Sequence, residues 1–153
     1  MNEQKRNFIE KELAPGLRTL HPSAKGVFGV MNAQQMVEHL SDYVRIASGK
    51  VPVKALYDDE VTKKMYAFMM SEKPFRDNTP NQLLPDVPPA WRNPSMDAAV
   101  DELEKEIADF FKVYAASPGL RVQSPFFGQL NAEEQVQLLH KHAVHHCRQF
   151  GLL

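Results

Sequence analysis

The sequence predicts an all-α domain, a four-helix bundle with one long crossover connection. Three observations carry that expectation. Apolar residues recur at three- and four-residue spacing in separate stretches. No stretch shows the strict apolar–polar alternation of a half-buried strand. Seven of the eleven prolines crowd between positions 52 and 94, where they remove backbone donors and break helical turns. A chain of 153 residues, 43% hydrophobic and 24% charged, has the length and composition of one ordinary domain, so residues 1–153 read as a single unit with a core of its own.

The first stretch, Asn7 to Leu20, is an irregular helix: Phe8, Leu13 and Leu17 form its stripe, and Pro15-Gly16 interrupts it. The second runs from Asn32 to Ser48. Asn32 is a good N-cap with Gln35 three residues on, Met36, Leu40, Tyr43 and Ala47 give the stripe, and Gly49 ends it. The proline-rich connection follows, with one helix near Asp58–Met70 and with Trp91 expected to anchor it on the bundle. The third helix is expected to open at Asn93-Pro94, with proline in the first turn. It carries Val100, Leu103, Ile107, Phe110 and Tyr114, and it stops at Ser117-Pro118-Gly119. Its acidic residues Asp101, Glu102, Glu104 and Glu106 read as a solvated face. Pro125-Phe126-Phe127-Gly128 reads as a packing loop or a pocket wall. The last helix begins at Asn131 with Glu134 completing a second capping box, and it runs to Phe150 before Gly151.

Charge and composition remove several classes of function. A formal net charge of −1 offers no basic surface for nucleic acid. No apolar run approaches the ~20 residues of a membrane helix, and the polar Met1–Arg6 start lacks a signal peptide's apolar stretch. Cys147 is the single cysteine, so no intrachain disulfide forms. Burial as a small hydrophobe suits it better than a nucleophile's role. A cytoplasmic location is the expectation.

The chemistry lies in the histidines. Four of the six fall in His140-Lys141-His142-Ala143-Val144-His145-His146. At ~100° per residue, His142 and His146 lie ~40° apart on one helix face, together with Gln135, Leu138 and Leu139. His140 lies roughly opposite, toward solvent, and His145 sits at the edge of the inner face. His39, on the second helix, shares its face with Met36, Tyr43 and Ile46. Neutral imidazoles spaced i,i+4, joined by one more from a facing helix, suit a divalent ion with an open coordination position. Spacing alone leaves His142/His145 open as the rival pair.

Two passages resemble a known family: Met31-Asn32-Ala33-Gln34-Gln35-Met36-Val37-Glu38-His39-Leu40, and Pro125-Phe126-Phe127-Gly128-Gln129-Leu130 followed by His142–Phe150. Together they are similar to the DinB-like superfamily, over roughly residues 5–152, and within it to a branch of unknown function. The resemblance implies a four-helix bundle with a long crossover and one divalent ion held by one histidine of the second helix and two of the last. In this chain those are His39, His142 and His146, so the resemblance favours His142/His146 over His142/His145. Many members carry arginine, glycine and glutamine after the last histidine; Cys147 and Arg148 stand there in this chain, which puts the usual arginine's role in doubt.

Gln35 and Gln149 are candidates to support the ligands from behind, by accepting an imidazole N–H or holding the ion's water. Asp42 reads as solvated. An open three-histidine site suggests a hydrolase, yet no glutamate stands beside the histidines as in H-E-x-x-H. Thiol-dependent transferases or isomerases, which the resemblance also implies, need no protein base. A metal-stabilised binding module is the non-catalytic alternative. The expected cofactor is one divalent metal ion, with zinc, nickel and iron all suited. The expected partner is a small-molecule substrate, with no nucleic acid and no membrane, and a homodimer stays open.

Overall fold

The computed structural model describes residues 1–77 and 87–153; Pro80 and Pro85, and the middle of the connection they mark, lie outside the described residues. The described chain is mostly helical with one small two-stranded sheet. Helix α1, Glu3–Asn7, continues through a π-helical turn, Phe8–Glu12, into α2, Leu13–Arg18. Helix α3 spans Ala33–Ala47, α4 Asp59–Met70, α5 Met96–Ala116 and α6 Ala132–Gln149. Strands β1, Val122–Ser124, and β2, Gly128–Leu130, pair antiparallel between α5 and α6, with Val122 opposite Leu130. No helix among the described residues is long and apolar enough to cross a membrane.

Both capping boxes form: Asn32 with Gln35 opens α3, and Asn131 with Glu134 opens α6. Gly49 turns out of α3 at φ +82°, a backbone conformation that a side chain would strain. The main core joins Ile9, Leu13 and Leu17 of the N-terminal rod to Met36, Val37 and Leu40 of α3, to Val100, Leu103 and Phe110 of α5, and to Val136 and Leu139 of α6. Helix α3 packs chiefly on α5 and also touches α6, while α4 lies along α6. A smaller apolar cluster under α4 joins Met69 to Phe127 and Leu130 of the hairpin.

Four expectations change. The hairpin escaped notice because three residues per strand are too few to show alternation. Pro15-Gly16 does not interrupt the first rod. The π turn ahead of Pro15, with Leu13 N–H donating to Phe8 O, widens the helix where the proline ring would otherwise meet a carbonyl. Helix α5 starts two residues later than expected: Ser95 is its cap, accepting from Ala98 N–H, because Asn93 is occupied elsewhere. The acidic residues of α5 divide: Asp101 and Glu104 are exposed as expected, whereas Glu102 is half-buried and Glu106 buried, and all four take part in ion pairs. Arg18 holds Asp97, Asp101 and Glu104, Arg92 holds Glu102, and Glu106, 5% exposed, takes Lys50 at 2.8 Å.

Candidate metal centre

Helix α3 presents His39, and the inner face of α6 presents His142 and His146 one turn apart. The phase of the two helices brings the three Nε2 atoms together: His142 Nε2 lies 3.0 Å from His39 Nε2 and 2.9 Å from His146 Nε2. A ligand atom from each ring lies within 4.8 Å of both others, and no cysteine or carboxylate joins this group among the described residues. His39 and His146 are 7% and 5% exposed, and His142 is half-buried at the opening.

Burial sets the protonation state. It pushes His39 down to about 3, with His146 and His145 adding repulsion. It pushes His146 down to about 4 against the opposing hydrogen bond to Gln149, and it pushes His142 well below the ordinary range. All three rings are therefore neutral near pH 7, which is the form that binds a metal.

One tautomer follows from the hydrogen bonds around Gln149. Its Nε2 donates to Phe28 O at 2.9 Å, so its Oε1 faces His146 Nδ1 at 2.7 Å. An amide oxygen only accepts, so Nδ1 carries the proton and Nε2 turns a lone pair to the centre. His142 Nε2 can share one proton at most, and it faces two other ring nitrogens. Such a set of acceptors suits a cation at its middle. Ligand bonds of about 2.0–2.1 Å with angles of ~90–110° place bound nitrogens ~2.9–3.4 Å apart; both contacts of His142 fall in that range, and the His39 and His146 ligand atoms lie within 4.8 Å of each other. The residues fit a divalent ion.

The histidines floor a cavity of about 640 Å³. Tyr43 packs edge-on against His39 and His142 with ring centres 4.8 Å from each, and Phe75 stands edge-on to His142 and His145. His145 lines this cavity outside the triad, against Phe28. His140 does not face solvent as the helical count suggested. The N-terminal rod covers that side of α6, and Phe8 packs on the ring at 5.2 Å.

Gln35 lines the cavity wall, but its amide is spent elsewhere: Oε1 accepts from Asn32 N–H at 2.9 Å and Nε2 donates to Pro89 O at 3.0 Å. Asp42 is exposed at the rim and paired with Arg45 and Arg92. Cys147 is buried and its thiol is pushed up to about 11, so it stays protonated and inert. Trp91 is half-exposed and anchors its segment by donating to Asn32 Oδ1 at 3.0 Å rather than by burying its ring.

Glu38 is a site residue that the sequence pattern does not single out. It is 5% exposed, and its carboxylate accepts from Arg92 N–H, Asn93 N–H and Asn93 Nδ2, each at 3.0 Å. This ties the end of the crossover to α3 beside the triad and occupies Asn93. The available signal was a carboxylate between Val37 and His39, in the middle of the apolar stripe of α3.

A family model described as the DinB superfamily matches residues 13–150. No curated protein and no solved structure matches the chain. The matched span runs from α2 to the end of α6 and contains all three converging histidines, so the chain belongs to the DinB superfamily.

Proposed function

We propose that this chain is a metal-dependent enzyme acting on a small molecule, with one divalent ion held by His39, His142 and His146, and that its reaction is hydrolytic. The observation that supports the reading is the convergence of three neutral Nε2 atoms at the floor of an open cavity. When bound there, a divalent ion would supply Lewis acidity, polarising a substrate oxygen or acidifying water. Zinc, nickel and iron all accept such a donor set. The protein's own part is positional. Gln149 holds His146 in the Nδ1–H tautomer, and Tyr43 and Phe75 keep water from the sides of the rings. Gln35 and Glu38 hold the crossover segment that walls the cavity. A four-helix bundle with a long crossover is part of the same reading, supported by one core shared among the N-terminal rod, α3, α5 and α6.

One observation favours a second chemistry. No carboxylate among the described residues joins the triad, and Glu38 is saturated by backbone and amide donors. A divalent ion held there would also acidify a thiol cosubstrate without a protein base, chemistry that suits a transferase or isomerase. Turnover of ester, amide and electrophile panels by the metal-loaded chain, with and without a small thiol and against His39→Ala, tests both. Thiol-free ester or amide turnover lost in His39→Ala supports hydrolysis. Turnover only with thiol moves the assignment to transfer. No turnover, with metal bound, leaves a metal-stabilised binding module.

A further inference from the structure

The reaction class leaves the substrate's chemistry open, and the cavity above the histidines narrows it. Its volume, about 640 Å³, lies in the range that buries most of a drug-sized molecule. A run of rings leads outward from the triad. Tyr43 of α3 touches His142, Phe75 follows at 6.3 Å from the same imidazole, and Phe127 stands 6.5 Å from Phe75. Phe126 is 5.9 Å from Phe127, and Tyr57 is 5.9 Å from Phe126. These spacings are those of rings in offset or edge contact, a surface that gains most from another ring laid on it. Met65 of α4 adds a thioether, which adapts to a ring's edge.

The charges on the lining are balanced and engaged. Among the described residues they are Glu38, Asp42, Arg76 and Arg92, two of each sign. Glu38 is held by backbone amides, Asp42 and Arg92 pair at 3.0 Å, and Arg76 is engaged as well. Away from the ion itself, a charged group on the ligand would have to break one of these arrangements or give up its hydration without a partner, and either is costly.

We infer that the substrate is a neutral, largely aromatic small molecule carrying a single polar reacting group at the end that reaches the histidines. The inference rests on the reading of the triad as a metal site. It predicts selectivity by apolar ring area, with charge rejected. It also gives the loop of the β1–β2 hairpin a function, since Phe126 and Phe127 both line the cavity.

Calorimetric titration of the zinc-loaded full chain with acetohydroxamic, benzohydroxamic and naphthohydroxamic acids tests this, with 4-carboxybenzohydroxamic acid as the charged member. Each buried methylene equivalent is worth about fourfold. Affinity should therefore rise at least tenfold from methyl to phenyl and again to naphthyl, and fall at least tenfold when the carboxylate is added. Phe126→Ala and Met65→Ala, both at half-buried positions, should each erase part of the naphthyl gain and leave acetohydroxamate unchanged. Tight binding that is flat across the series, or preference for the carboxylate, would overturn the substrate class while the metal site stands. If the chain retains no zinc, the metal reading fails instead. The class is then decided on the zinc-free chain by 2-naphthol against 2-naphthoate, where equal binding or preference for the anion overturns it.

Discussion

Replacing Gln149 by leucine isolates what lies behind the metal ligand. Gln149 is 3% exposed, and its amide makes two hydrogen bonds, to His146 Nδ1 at 2.7 Å and to Phe28 O at 2.9 Å. Leucine keeps the volume and removes both. The Nδ1–H is then left in a dry site, where an unsatisfied donor costs ~1–3 kcal/mol. The tautomer that aims the Nε2 lone pair at the centre loses its advantage by a similar amount. Loss of a hydrogen-bond partner behind a ligating histidine commonly costs 10–100-fold in affinity. We therefore expect Gln149→Leu to weaken zinc binding by about 10–100-fold, read by competition with a chromophoric chelator at constant pH, with helical circular dichroism unchanged. Gln149→Glu keeps an acceptor for Nδ1–H and gives up the donor to Phe28 O, so it should recover most of the affinity. A Gln149→Leu chain that binds zinc within threefold of the parent would refute the tautomer argument, because the imidazole would then be aimed by packing alone.

Three further outcomes follow from the same geometry. His39→Ala, His142→Ala and His146→Ala should each lose zinc by elemental analysis, whereas His140→Ala, which packs on Phe8 outside the triad, should retain it; equal losses would contradict the helical phase. Chelation should leave the far-ultraviolet dichroism helical, because the shared core is independent of the three histidines, and added zinc should raise the melting temperature with its free concentration; collapse of the helix signal on chelation would make the ion structural. Acid should destabilise the metal-free chain. His39 and His146 sit at about 3 and about 4 when folded and near the ordinary 6.5 when unfolded, so between those values the unfolded chain binds more protons and stability falls as pH drops below ~6.5. His146 alone is worth on the order of 3 kcal/mol by pH 4, and a urea midpoint that stays level from pH 7 to pH 5 would contradict its burial as a neutral ring.

The helices were readable because their signals are local. Asn32 with Gln35, and Asn131 with Glu134, declare both helix starts within four residues, and the stripes of α3, α5 and α6 mark the faces that meet. The meeting of three imidazoles was readable for the same reason: inward phase on two helices leaves them little else to face. What stayed hidden depends on partners distant in sequence. Asn93 resembles a helix start until Glu38, 55 residues away, takes its amides, and Ser95 caps α5 instead. Glu102 and Glu106 look as solvated as Asp101 and Glu104 until Arg92 and Lys50 arrive from other segments and cover them. His140 looks exposed until Phe8 covers it. The hairpin is set by its pairing and by Ser124 Oγ accepting from Phe127 N–H, neither of which leaves a periodic trace in three-residue strands.

The π turn at Phe8–Glu12 makes chain length and proline a single inherited character. A π turn is an α-helix carrying one surplus residue. It keeps Ile9 and Leu17 on the same buried side of the rod while giving the Pro15 ring room. Remove one residue from this turn and ordinary helical geometry returns with the apolar face still in phase, but Pro15 then meets the carbonyl four positions back, at a cost of ~3 kcal/mol. Remove the proline alone and the surplus residue has no reason to stay. Along a lineage the two changes should travel as a pair. Related chains one residue shorter between Phe8 and Leu13 are therefore expected to have replaced the proline, and a shorter chain that keeps it would show that the ring is accommodated by some other distortion.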